Sequence, residues 1–191
     1  DMVGPLGEVT GRHALEHLRR RLLATDQGRA LLRDRPLVTD ELDLTKCPPG
    51  SFGYAYAAFM RRHGFHADDR SPVALVDDEE LAYVLLRYRQ VHDFWHVLCG
   101  LPPTLLGELA LKWFELVHTG LPVAAFSAVF GPLRLKPRDR AALRTTYLPW
   151  ALREGRRAHF LLEVPYEAHL NTPIDDLRAS LHFTPAPPKP S

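Results

Sequence analysis

The sequence predicts an all-α, single-domain helical bundle. Apolar residues recur at three- and four-residue spacing along most of the chain. Capping residues and Pro/Gly stops punctuate those runs, and no stretch alternates apolar and polar residues as a half-buried strand would. The 191 residues suffice for one sizeable core. A composition of 46% apolar and 25% charged residues is that of an ordinary soluble globular chain.

Residues 1–10 contain Gly and Pro and are expected to be loose. Leu15, Leu18 and Leu22 predict a helix over Gly11–Leu23. A short helix follows from about Thr25 to Arg33, capped by Thr25 or Asp26 and stopped by Pro36. Thr39–Lys46 fits either a short helical turn or an extended segment. Pro48-Pro49-Gly50-Ser51 is a break. Phe52–His63 then reads as a helix with Phe52, Tyr56, Phe59 and Met60 along one side, ending at Gly64, and 65–72 as a loop.

Asp77 or Asp78 caps a long helix to Cys99, with Glu79 and Glu80 favourable in its first turn. Gly100 and Pro102-Pro103 end it, and Thr104 caps a second helix to His118, stopped at Gly120. Val123–Phe130 reads as a short uncharged helix and 131–137 as a loop. Arg138–Arg157 reads as a helix broken or kinked near Pro149, and 159–170 as an apolar stretch around Pro165. Thr172–Leu181 is the last short helix, with Thr172 as cap and Pro173 at its first position. The domain is expected to span 1–183, with 184–191 a disordered or polyproline-like tail.

Several classes are disfavoured. A net charge of +1 gives no electrostatic case for nucleic acid. Two cysteines, Cys47 and Cys99, exclude a disulfide scaffold and fit a reducing compartment. The stretch Thr119–Leu133 lacks charge but falls short of the roughly 20 residues of a membrane-spanning helix. The start at Asp1 is read as a processed or truncated form whose targeting peptide is gone.

The chemistry concentrates in His92-Asp93-x-x-His96, eleven residues, then Glu108. At about 100° per residue, His92 and His96 lie one turn apart on nearly one face, with Asp93 about 100° round from His92. A short turn makes the two helices antiparallel neighbours and sets Glu108 opposite His96. Two imidazoles and two carboxylates that converge suit a divalent metal. By contrast, His13 and His17 share the spacing without an acidic partner and read as a solvated pair.

These residues resemble the signature of the coenzyme Q biosynthesis protein 4 family. Gly100-Leu-Pro, Gly107-Glu108, Lys112-Trp-Phe-Glu115 and Gly120-Leu-Pro122 also resemble it, and the likeness extends over essentially the whole chain, which is similar to vertebrate mitochondrial members without their transit region. The resemblance implies an all-helical protein on the matrix face of the mitochondrial inner membrane, working with other ubiquinone-biosynthesis enzymes on a polyprenylated aromatic lipid. It implies removal of the carboxylate from ring carbon one of a polyprenylated 4-hydroxybenzoate, with hydroxylation there, and zinc is the metal usually assigned. A redox-active iron is the alternative, since two histidines and a carboxylate also suit non-haem iron.

On that reading His92, Asp93, His96 and Glu108 serve as both metal-binding and catalytic residues. Lys112 is the candidate partner for the substrate carboxylate; its bland alternative is a salt bridge to Glu108 or Glu115. Phe94, Trp95, Trp113 and Phe114 are candidates to wall a lipid groove, with ordinary core packing as the alternative. Phe126 and Phe130, followed by Arg134, Lys136, Arg138 and Arg140, suggest a membrane-contact face. The alternatives there are a buried helix or a homodimer interface. Rival functions are a non-catalytic scaffold with a structural metal and a metallohydrolase, which would need a second His-Asp doublet that the chain lacks. Ser127 has no nucleophile-elbow setting.

Overall fold

The computed structural model describes residues 11–69, 73–74, 76–121, 124–125 and 131–190. Its α-helices are α1 (Arg12–Leu23), α2 (Asp26–Asp34), α3 (Phe52–His63), α4 (Glu79–Cys99), α5 (Leu105–Thr119), α6 (Pro137–Ala142), α7 (Leu148–Arg157) and α8 (Ile174–Ser180). Among the described residues no strand forms; one isolated bridge joins Ser51 to Pro173. The all-α class therefore holds.

Most ends are set by the expected chemistry. The side chains of Thr25, Ser51, Asp78 and Thr104 each accept a backbone N–H of the first turn they precede. Thr172 does not cap α8; Pro173 occupies that position, one residue later than expected. Thr39–Lys46 forms turns rather than helix, and the stretch around Pro165 resolves into two 3₁₀ turns, 161–163 and 166–169.

The kink expected near Pro149 has a specific form. Leu143–Tyr147 winds as a π-helix between α6 and α7, with the proline at the start of α7. Proline has no N–H for the carbonyl four residues back and its ring crowds it, so the turn before it widens.

α5 packs most closely along α7. The approach is tight at Gly155, where an added Cβ would come within 2.9 Å of the Val117 side chain. Between α4 and α5 the pattern differs: side chains bridge the seam. His96 faces Glu108, His92 faces Glu108 and Glu115, and Tyr88 faces Glu115. Numbers fall on one helix as they rise on the other, so the pair is antiparallel.

Of the two alternatives for the Pro-rich tail, the disordered one gives way. Residues 184–190 run extended but are tied down. Trp150 Nε1 donates to the Thr184 carbonyl (2.9 Å), Ala186 N–H to the Cys99 carbonyl (2.8 Å), and Lys189 pairs with Asp139 (2.6 Å). Proline-rich composition leaves carbonyls and side chains free to bond even where it forbids helix. Val123–Phe130 lies largely outside the described residues, so Phe126 and Phe130 receive no structural account.

Candidate metal centre

The end of α4 holds one of its own histidines. Gly100, at φ +69°, lets the chain turn back, and Gly100 N–H reaches Val97 O (3.2 Å) while Leu101 N–H reaches His96 O (3.0 Å). The Leu101 carbonyl then meets His96 Nδ1 at 3.0 Å. One turn residue thus fixes both the backbone and the ring of His96. The first turn of α5 sits hard against the same turn. A Cβ on Gly107 would lie 2.0 Å from the Pro102 carbonyl oxygen, so only glycine fits there. That close approach places Glu108, the next residue.

His92, His96 and Glu108 offer donor atoms all within 4.8 Å of one another. His96 Nε2 lies 3.0 Å from Glu108 Oε1, and His92 Nε2 lies 3.5 Å from Glu108 Oε2. Donors around one tetrahedral ion at about 2.0–2.1 Å stand roughly 3.4 Å apart, so these separations suit a shared cation. His96 Nε2 is buried and makes no well-directed hydrogen bond: with Nδ1 donating to the Leu101 carbonyl, its lone pair faces the lone pairs of Glu108 Oε1 across that 3.0 Å. A buried acceptor without a partner costs about 1–3 kcal/mol; a cation would satisfy it. His96 is 1% exposed at its side chain, His92 21% and Glu108 36%, so the centre opens towards Glu108. Beside His96, Phe59 from α3 stacks on the imidazole at 5.5 Å.

Asp93 does not join this group. It lies about 100° round α4 from His92. Lys112 is likewise not free for a substrate carboxylate. Its ammonium donates to Glu115 (2.6 Å) and to the Tyr88 hydroxyl (3.3 Å). Phe94 and Trp95 are fully buried in the core. Phe94 meets Phe52, Tyr56 and Tyr166, and Trp95 donates its Nε1–H to the Tyr166 hydroxyl (3.0 Å). Both are spent on core packing, so they wall no groove. Trp113 is half-buried at the edge of the core and Phe114 is fully buried.

Glu115 is the Lys112 partner that the sequence offered as the alternative to a substrate carboxylate, but its contact with His92 was not foreseen. Fully buried, it meets His92 Nδ1 (2.6 Å), the Tyr88 hydroxyl (2.5 Å) and Lys112. A signal existed: Glu115 lies seven residues, two turns, beyond Glu108 and so shares its face.

The electrostatics follow from these contacts. Burial and the Lys112 ammonium lower the basicity of His92, but the Glu115 and Glu108 carboxylates outweigh them and lift its pKa to about 9. Burial disfavours the Glu115 carboxylate, yet Lys112 and His92 hold its pKa down to about 2. Glu108 is held far below the usual carboxylate range, against burial, by His92 and His96. Without a metal, a protonated His92 does part of a cation's work between two carboxylates.

A cleft of about 580 Å³ lies beside the 100–107 turn, lined by Leu101, Leu105, Leu106, Leu135 and the tail, with Arg134 and Lys136 also on its wall. None of the three donors lines it, but Gly107 does, next in sequence to Glu108.

The family model described as Coenzyme Q (ubiquinone) biosynthesis protein Coq4 matches residues 1–187. The chain belongs to the Coq4 family. It is 45% identical to the mitochondrial ubiquinone biosynthesis protein COQ4 homolog of Nematostella vectensis, over 97% of this chain and 93% of that one. The mitochondrial COQ4 homolog of Homo sapiens is 44% identical over 98% of this chain and 72% of its own. A crystal structure from Nostoc punctiforme superposes with a TM-score of 0.70 over 88% of this chain and 80% of that one. At 24% identity that likeness concerns the Coq4 fold alone. Among the described residues, no helix is long and apolar enough to cross a membrane.

Proposed function

We propose that the chain acts in ubiquinone biosynthesis as a metal-dependent lyase. It removes the carboxylate from ring carbon one of a polyprenylated 4-hydroxybenzoate-type intermediate, that carbon taking a proton in its place or, in the oxidative form, a hydroxyl group with molecular oxygen as oxidant, at the matrix face of the mitochondrial inner membrane and beside the other enzymes of the pathway. The observation that carries this reading is the three-donor group His92, His96 and Glu108, with His96 Nε2 buried and unspent. Three protein donors leave a position for a ligand, as catalytic sites do, whereas a structural staple is filled by four. Among the described residues Asp93 stands outside the group, which favours the open, catalytic form of site over a four-donor staple.

His92, His96 and Glu108 would hold the cation, and zinc and non-haem iron both accept such a set. When bound, it supplies Lewis acidity towards the negative charge that develops as carbon dioxide leaves. The chain's own residues bind and orient. Glu108, the most exposed donor, stands where a head group enters. Lys112 is held by Glu115 and Tyr88, so it contributes fixed positive charge rather than a direct grip on the substrate. The apolar walls of the cleft beside the 100–107 turn suit an isoprenoid chain.

The test incubates purified protein with a prenylated 4-hydroxybenzoate-type substrate and follows loss of carbon dioxide by mass. Turnover that disappears on chelation and returns with zinc or iron(II) supports the reading. Turnover unaffected by chelation removes the metal from it, and its absence under every metal leaves the scaffold function.

A further inference from the structure

We propose that Glu115 is a positioning residue: it fixes the ring of His92 with Nδ1 carrying the proton, so that Nε2 is the nitrogen offered to the metal. The inference rests on the metal reading above. His92 has two nitrogens, and they meet different surroundings. Nε2 faces Glu108, one of the three donors, at 3.5 Å. Nδ1 faces Glu115 at 2.6 Å. An ionised carboxylate only accepts, so the short contact requires an N–H on Nδ1. With that nitrogen engaged, the ring can neither flip nor swap tautomer without breaking a short, part-buried hydrogen bond.

Glu115 is itself over-determined. Its Oε1 takes His92, while Oε2 takes the Tyr88 hydroxyl (2.5 Å) and the Lys112 ammonium (2.6 Å). The three partners come from both helices, so the carboxylate ties α4 to α5 at one point. The arrangement matches the way His96 is treated one turn later, where the Leu101 carbonyl takes Nδ1 and leaves Nε2 for the site. Metal-bound histidines ordinarily give their second N–H to a carboxylate or backbone carbonyl, and loss of such a partner weakens metal binding about 10- to 100-fold.

One competing arrangement is present. Lys112 Nζ lies 3.4 Å from His92 Nδ1 and could donate to it if that nitrogen carried no proton. The Glu115 contact is 0.8 Å shorter (3.4 less 2.6) and is the one proposed to rule.

Three measurements decide it. The first is zinc affinity of the wild-type protein, of His96→Ala and of the pair Glu115→Gln with Lys112→Met. The double change removes both charges together, so no buried ion is left alone. The expected result is tight binding in the wild type, loss in His96→Ala, and a roughly 10- to 100-fold weakening in the double variant. The second is thermal unfolding of the metal-free forms, which reports any purely structural loss separately. The third needs no substitution: ¹⁵N spectra of the zinc-loaded wild type should show His92 bound through Nε2, with a slowly exchanging proton on Nδ1. A folded double variant with wild-type affinity, or His92 bound through Nδ1, overturns the role of Glu115 while the metal centre stands. A wild type that binds no zinc or iron(II) overturns both.

Discussion

His96, near the end of α4, and His118, near the end of α5, are buried imidazoles whose Nδ1 meets a backbone carbonyl, Leu101 in one and Gly155 in the other, each at 3.0 Å. They differ at the second nitrogen. His118 Nε2 accepts the Leu161 N–H at 2.9 Å, and the ring stacks on Phe114. His96 Nε2 is buried, accepts no N–H, and faces the Glu108 carboxylate at 3.0 Å. The first histidine is satisfied as a neutral cross-link between helices and the 161–163 turn. The second keeps a lone pair in reserve beside Glu108. A buried histidine is therefore read from the atom it leaves unused, not from its burial or its spacing.

The sharpest way to break this contrast is to remove each ring in turn. His96→Ala should weaken zinc binding by roughly 100- to 1000-fold, about one ligand's share of a site's binding free energy, with a modest effect on metal-free stability. His118→Ala should leave zinc affinity within a few-fold. It should destabilise the fold by about 3 kcal/mol, through the cavity and the stranded Leu161 N–H and Gly155 carbonyl. Equilibrium zinc titration and urea unfolding read the two axes, and a His118→Ala protein that loses zinc would erase the distinction.

Next in size is a pH dependence of opposite sign. Burial pushes the His118 pKa down to about 4, so the unfolded chain, with a histidine near 6.5, binds the proton more readily. Its contribution is full above pH 6.5 and is lost as pH falls towards 4, about 3 kcal/mol in all. His92 moves the other way. Its folded pKa near 9 means its contribution to the metal-free fold is full below 6.5 and is lost as pH rises through 9. A metal ligand must shed that proton, so zinc affinity should fall by up to about tenfold per unit as pH drops below 9. Unfolding and zinc titrations between pH 5 and 10 check both signs. His118→Ala should flatten the acid limb alone.

The smallest effect concerns Asp93. Because it stands outside the donor group, Asp93→Asn should change zinc affinity by no more than a few-fold, against roughly 100-fold for Glu108→Gln. Comparable losses in the two variants would restore the four-ligand site.

Much of the architecture was legible because it is written in local chemistry. Asp78 and Thr104 cap their helices through side-chain oxygens within three residues, and Gly100 and Gly120 close them through positive φ. The Pro102-Pro103 turn and the spacing of His92 and His96 put Glu108 opposite them, and the structure gathers those three residues. Proline composition left the tail either disordered or polyproline-like and carried no sign of its anchors on Trp150, Cys99 and Asp139, which lie far away in sequence.

Taken alone, the amino-acid order determined which residues wind into helices, where those helices stop, and which side chains share a stripe, since each depends on neighbours within about one or two turns. Only the packed molecule decided how far each helix rolls about its own axis. That rotation turned Phe94 and Trp95 into the core, left Asp93 outside the donor group, and brought Glu115 against His92 with Lys112 already engaged. The roll is set by the fit of many apolar side chains from distant segments, such as Phe52, Tyr56 and Tyr166 around Phe94, and no short window of sequence carries that sum.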